Sequence, residues 1–410
     1  MFDPTIFMIF LLVYLGMILG GLPYLAMDRT GVALLGAIAL VSARKVTPEA
    51  AWDAVDIPTV ALLFGLMVVS AQLRLGGFYS AVTRRLARYR LGPALLLALL
   101  IAVAGGLSAL LVNDIVCLAM APVLVDICGR RGLNPVPYLL GLACAANVGS
   151  AATLIGNPQN MLIGQKLGLS FAGYLADAAV PTAAGLALTW CVIALIYRNA
   201  WGAGGATPES VMLEPDPTPF NRWQTGKGLL VLGLLVIGFL WGRWPREILA
   251  LGAAGLLLAS RRMATRRILG LVDWHLLVLF MGLFIVNHAL KASGMLESVV
   301  GDLRGAGIDP AHPAWLYGVT PVLSNLVSNV PAVMLLLPVA THPMAGPILA
   351  LSSTLAGNLF IVGSIANIIV VDQASRQGVA IGWREHARCG IPVTILTLIA
   401  AASWLAFMSR

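Results

Sequence analysis

Residues 55–78, VDIPTVALLFGLMVVSAQLRLGGF, return 217 positions later as VDWHLLVLFMGLFIVNHALKASGM over 272–295, without a gap. Val55/Val272, Asp56/Asp273, Gly65/Gly282, Leu66/Leu283, Leu73/Leu290 and Gly77/Gly294 are identities, and the basic Arg74 is answered by Lys291. Two further blocks follow in the same order. NDIVCLAMAP (113–122) is answered by NVPAVMLLLP (329–338), and LIGNPQNMLI (154–163) by IVGSIANIIV (361–370). Three matched blocks at nearly constant offset describe a duplicated chain. Its fold must accommodate two copies of one unit.

The medium follows from composition. The 410 residues are 59% hydrophobic and 11% charged, with a mean hydropathy of +0.89. Soluble domains carry about 25% charged residues, so most of this chain belongs in lipid. A spanning helix takes roughly 20 apolar residues. Runs that qualify cover 5–27, 57–74, 92–112, 176–197, 228–242, 273–290 and 388–408. Shorter or interrupted runs cover 31–43, 113–127, 136–156, 247–260, 314–327, 330–341 and 347–363. Together they suggest about ten membrane-crossing units, five in each half. The opening MFDPTIF has no basic n-region and reads as the start of a retained span.

A formal net charge of +8 would suggest nucleic acid for a soluble protein. Here the basic residues sit in short loops, RRLARYR (84–90), GRRG (129–132) and RRMATRR (261–267). That is the pattern of cytoplasmic loops, and no nucleic-acid partner is expected. Walking the spans with these loops inside places both termini outside. The predicted organisation is a first transmembrane repeat (1–197), a Pro- and Gly-rich connector (198–227) and a second repeat (228–410). An odd number of units per half would insert the second half upside down. Inverted repeats with a substrate site where they meet are a mark of secondary transporters.

The polar interruptions then become informative. In ATLIGNPQN (152–160), Gly156 reads as a helix end, Asn157 as an N-cap and Pro158 as a first helical residue. Its mate, VGSIAN (362–367), has Gly363 and Ser364 at the same place. The other pair of breaks is LVNDIV (111–116) and LSNLVSNVP (323–331), with Asn113, Asp114, Ser328 and Asn329 read as cap-type residues. Broken helices in lipid are tolerated only where protein or a water-filled cavity receives the freed backbone groups. Four helix starts would offer N–H groups and positive dipole ends to an anion. Packing kinks are the alternative reading of each break.

Asp114 is the acid set deepest in an apolar run, and intramembrane acids are functional candidates. It would hold a coupling cation or a proton, or else cap its own helix. Asp177 reads as a helix-end acid, and Asp56 and Asp273 as N-terminal dipole partners. His288, beside Asn287, reads as a titrating group or a hydrogen-bonded interior histidine. FYSAVTRRLARYRL (78–91) is basic and amphipathic, fit for the membrane surface, and it and 295–304 could also serve as hinges. The five cysteines have no CxxC spacing and read as buried thiols. The five histidines are dispersed, without HExxH-like spacing, and no catalytic or metal site is expected. A passive channel differs from a transporter in that no opposing gradient drives its flux uphill.

At these residues the chain resembles the ion transporter superfamily, nearest its citrate/arsenite permease branch, related to divalent anion–sodium symporters. SNVPAVMLLLP (328–338) and NDIVCLAMAPV (113–123) carry most of the likeness, with GNPQN (156–160) and GSIANIIVVDQA (363–374) next. In symporter relatives, Ser-Asn-Thr motifs at two hairpin tips bind sodium and substrate carboxylate. The matching tips here read Val112-Asn113-Asp114 and Ser328-Asn329-Val330, and Asp114 supplies a charge instead. Arsenite permeases share the Asn-Asp pair. The resemblance implies a scaffold domain, a moving transport domain and, in many members, a homodimer.

The expectation is therefore an all-α, polytopic integral membrane protein of the cell's inner membrane. It would be an inverted-topology repeat of two five-unit halves with broken-helix, re-entrant hairpins. It would move a small anion, carboxylate or inorganic oxyanion, by alternating access, with no cofactor beyond coupled Na+ or H+. The expected substrate-binding residues are Asn113, Asn157, Pro158, Asn160, Ser328, Asn329, Gly363, Ser364 and Asn367. Asn113, Asp114 and Asn329 would hold the coupling ion. Two alternatives remain at this point: an arsenite/antimonite exporter, with Cys117 and Cys144 near the motifs, and a sodium/proton antiporter using Asp114.

Overall fold

The computed structural model describes residues 3–21, 27–202, 219–307, 309 and 311–409. The central part of the expected connector, residues 203–218, lies outside the described residues, as do 22–26 of the first expected span. The described chain is helical throughout, without a named strand. It forms twenty α-helices, ten before the connector and ten after it. Six are long and apolar enough to cross a membrane: Ile57–Leu75, Pro93–Leu110, Phe171–Ile196, Arg222–Trp241, Trp274–Ala292 and Trp383–Met408.

Several bounds differ from the sequence expectation. The first helix, α1 (Pro4–Leu19), stops well before residue 27 because Gly20 turns left-handed at φ 81°. The helices expected at 176, 228 and 388 start five or six residues earlier, at Phe171, Arg222 and Trp383. Polar residues such as Tyr174, Gln224 and His386 are buried in those first turns, so the apolar count alone started too late. Asp177 accordingly lies in the second turn of its helix rather than at the end.

The helices of the two halves pack crosswise. α2 (Arg29–Ser42) lies on α14 (Trp274–Ala292), and α4 (Ile57–Leu75) lies on α12 (Arg246–Leu258). The two crossings match residue for residue. A Cβ on Gly65 would stand 2.6 Å from the backbone carbonyl carbon of Ala250, and one on Gly282 would stand 2.8 Å from that of Ala33. Both pairs are related by the 217-residue offset. Small residues let two backbones approach in a medium with no hydrophobic drive between helices. Asp56 and Asp273 cap α4 and α14, accepting from Thr59 N at 2.9 Å and Leu276 N at 3.0 Å.

The outer surface is apolar, with Leu11 and Leu12 on α1 and Leu230 and Leu234 on α11 (Arg222–Trp241) all exposed. Trp223, Trp241, Trp244 and Trp274 are exposed near helix ends, the position of interfacial aromatic belts. The amphipathic stretch forms α5 (Phe78–Arg88), which buries Tyr79 and Leu86 and leaves Arg84, Arg85 and Arg88 outside.

Candidate functional site

Two helix breaks form one device used twice. α8 (Pro135–Ser150) stops six residues before Gly156, earlier than expected, and α9 (Pro158–Lys166) starts after Asn157. In the second half α18 (Ala345–Ala356) stops and α19 (Ile365–Arg376) starts after Ser364. The carbonyls freed at each stop need donors. Asn160 Nδ2 donates to the carbonyls of Ser150 at 3.3 Å and Thr153 at 3.1 Å. Asn367 Nδ2 donates to those of Gly357 at 2.8 Å and Phe360 at 3.1 Å. Every partner is displaced by 207 residues, the offset of that sequence block. Asn157 and Ser364 are N-caps as expected, accepting from Asn160 N at 3.1 Å and Ala366 N at 3.2 Å.

The two devices interlock through side chains of the opposite half. Thr354 Oγ1 donates to Asn160 Oδ1 at 3.3 Å, and Asn147 Nδ2 donates to Asn367 Oδ1 at 3.0 Å. Thr354 and Asn147 are again 207 residues apart. Asn147 also donates to Asn358 Oδ1 at 2.8 Å and accepts from Ser364 Oγ at 2.7 Å and Asn113 Nδ2 at 3.3 Å. An amide side chain has two donor hydrogens and two acceptor lone pairs. Asn147 uses all four.

The other pair of breaks separates α6 (Pro93–Leu110) from α7 (Asn113–Arg130), and α16 (Pro313–Val327) from α17 (Asn329–Leu336). Here the capping expectation fails. No side chain caps α7 or α17. Asn113 and Asn329 are first helical residues whose side chains point sideways. Asn113 reaches Asn147, and Asn329 Oδ1 accepts from Ser324 Oγ at 2.5 Å. At Asn329 a lateral hydroxyl takes the oxygen that a cap would use, whereas Asn113 turns its Nδ2 to Asn147 and leaves its Oδ1 unpaired among the described residues. Ser328 sits between α16 and α17 at φ 78°, ψ 159°, a region that essentially only glycine visits and that costs about 1–3 kcal/mol.

Between the starts of α7, α9, α17 and α19 lies a cavity of about 30 Å³. Seven expected site residues line it: Asn113, Asp114, Asn157, Pro158, Ser328, Asn329 and Ser364. Asn160, Asn367 and Gly363 do not. The first two are braces behind the wall. Gly363 is a spacer, since a Cβ there would stand 2.7 Å from Asn325 Oδ1. Sequence reasoning missed Asn147, Gln159, Leu276, Val330 and Ile365 in the lining. Asn147, a lone amide in the small-residue run ACAANVGSA, carried the usual signal of an intramembrane polar residue.

The electrostatics are simple. The lining has one formal charge, Asp114, and no Lys, Arg or His. Asp114 is half-buried, with no hydrogen bond or ion pair among the described residues, and the Asp273 carboxylate is within electrostatic reach. Asn113 Oδ1 is buried with no hydrogen-bond donor among the described residues, a costly state for a native group. Cys117 and Cys144 are buried and off the cavity wall. No cluster of three metal-ligating side chains occurs among the described residues. His288 is exposed and makes no hydrogen bond among the described residues, which removes the hydrogen-bonded interior reading of the two. Its neighbour Asn287 is the one tied down, accepting from Tyr14 Oη at 3.0 Å.

The sequence profile of the CitMHS family, described as citrate transporter, matches residues 7–356. The chain belongs to that family. It is a multi-pass membrane transporter and not an enzyme. An uncharacterized transporter of Mycobacterium tuberculosis is 30% identical over 94% of this chain and 96% of its own. The inner membrane protein YbiR of Escherichia coli is 31% identical over 81% of this chain and 83% of its own. The silicon efflux transporter LSI3 of Oryza sativa is 26% identical over 91% of each. The crystal structure of the Alcanivorax borkumensis YdaH transporter superposes over 98% of this chain and 99% of its own, with a TM-score of 0.57 and 14% identity. That likeness is one of fold.

Proposed function

We propose that this family member is a secondary active transporter of a small anion, carboxylate or inorganic oxyanion, coupled to Na+ or H+ in an inner membrane like that of YbiR. The observation that carries the reading is the cavity framed by the starts of four helices, α7, α9, α17 and α19. Two of these starts lack a side-chain cap. Helix starts attract anions through free N–H groups and the positive end of the dipole. They do so without a basic side chain, which suits a site that must also release its cargo. Asp114 and the unpaired Asn113 Oδ1 supply the negative and acceptor groups that a coupling cation or proton needs. Asn329 stands across the cavity from them.

The halves 1–197 and 228–410 would be inverted repeats, and alternating access would move the hairpins α6–α7 and α16–α17 against the crossed helices α2, α4, α12 and α14. A homodimer would anchor that frame. A second reading is favoured by one observation, the absence of any basic side chain in the lining. Amides suit a neutral hydroxylated oxoacid, and one relative is named a silicon efflux transporter. Thiol ligation of arsenite gains no support, because neither Cys117 nor Cys144 lines the cavity.

The test is flux in proteoliposomes under imposed sodium or pH gradients, with citrate, succinate, sulfate, phosphate, arsenite and silicic acid. Accumulation of one anion, lost in Asp114→Asn, supports the proposal. Accumulation of silicic acid or arsenite alone selects the neutral reading. Sodium–proton exchange with no solute present overturns both in favour of an antiporter.

A further inference from the structure

A second, larger cavity of about 310 Å³ lies along the same helices as the first. α9 lines the central cavity with Pro158 and Gln159 and the second with Leu162 and Lys166. α17 lines them with Asn329 and Val330, then with Met334, and Leu337 follows just past its end. α14 contributes Leu276 to the first and His288 and Lys291 to the second. Leu276 and Lys291 stand at opposite ends of a membrane-crossing helix. The second cavity therefore lies toward the Lys291 end of α14, displaced from the central cavity by about 12 Å along the eight-residue rise from Pro158 to Lys166.

Their chemistries are complementary. The central lining has no basic side chain, whereas the second cavity is walled by Lys166, Lys291 and His288 and by no acid. Lys291 and His288 are exposed into it, with no ion pair among the described residues. Lys166 is tethered from behind. Its ammonium pairs with Asp56, the cap of α4, and lies 5.8 Å from the centre of the Phe284 ring. A cleft lined by one sign of charge concentrates the opposite ion.

We infer that this second cavity is a vestibule that captures the anionic solute on its way to the central cavity, with Lys291 and His288 as its contacts and Lys166 as a latch. The inference rests on the anion reading above. An arriving anion binds Lys291 and His288 first. It then competes with Asp56 for Lys166, which frees the end of α9, the helix whose start forms the central cavity. Discrimination between anions and neutral solutes is thus made at the vestibule, before the uncharged amide site is reached.

The test compares wild type with Lys291→Gln, Lys291→Arg and His288→Gln, and with Lys45→Gln as a charge change outside both cavities. Citrate and sulfate are the probes, in equilibrium binding to detergent-solubilised protein and in initial uptake by oriented proteoliposomes. Lys291→Gln should weaken binding and raise KM at the vestibule face about tenfold, the scale of one charge-assisted hydrogen bond. kcat for uptake from that face should stay put. Lys291→Arg and Lys45→Gln should behave as wild type. Coupled anion uptake with unaltered binding and KM in Lys291→Gln and His288→Gln overturns the vestibule alone. Lys291-dependent binding without gradient-driven uptake supports the vestibule and overturns the transport reading. Wild type that neither binds nor carries citrate or sulfate overturns both.

Discussion

Asn160 and Asn367 perform one task in two halves of the chain. Each donates through its side-chain amide to two carbonyls freed by a stopped helix, at Ser150 and Thr153 in one case and Gly357 and Phe360 in the other. Each is held by a side chain of the opposite half, Thr354 or Asn147. The breaks that frame the cavity are thus braced across the seam between the halves, and neither Asn160 nor Asn367 lines the cavity itself.

Asn160→Ala should leave the Ser150 and Thr153 carbonyls without donors among the described residues, and Asn367→Ala the Gly357 carbonyl, since Phe360 keeps the Gly363 N–H at 3.0 Å. The loss should be about 2 kcal/mol or more, because an orphaned buried polar group costs more than a hydrogen bond contributes. Asn160→Ala and Asn367→Ala should both lower the thermal midpoint in detergent, the first by more. Unchanged midpoints would show that the carbonyls find water instead.

Ser328 holds a glycine-type backbone beside the cavity. Ser328→Gly should be more stable than Ser328→Ala by about 1 kcal/mol, the strain released less the entropy glycine loses on folding. Thermal unfolding of the two variants checks the sign. Equal midpoints would mean that Ser328 is not strained.

The crossed frame should respond to small residues in a position-specific way. Gly65→Ala and Gly282→Ala drive a methyl into the Ala250 and Ala33 backbones, and overpacking of this kind costs about 1–3 kcal/mol. Gly233→Ala in α11 meets nothing within 4 Å and should be neutral or stabilising by up to about 1 kcal/mol. Folded yield and midpoint in detergent would show the opposite signs.

Asp114→Asn keeps the shape of the cavity wall and removes its one formal charge. Gradient-driven accumulation should be lost while the unfolding midpoint is no lower, since no ion pair is broken. A variant that still accumulates solute against a gradient would move the coupling role elsewhere.

The sequence alone determined the medium, the duplication and much of the cavity. Apolar runs and a charge deficit admit only helices in lipid, and the 217-residue echo already paired Gly65 with Gly282 and Asp56 with Asp273. Asn157 and Ser364 were legible because a cap acts on the backbone beside it. Tertiary structure alone decided the rest. Asn113 and Asn329 look like caps, but partners at Asn147 and Ser324 drew them aside. The joining of Asn147 to Asn358 and Asn367, 211 and 220 residues away, has no local signature. In helices apolar on every side, periodicity does not say which face meets a neighbour. Only the crossing of the two halves made one amide the hub of the site and set three basic side chains around a second cavity.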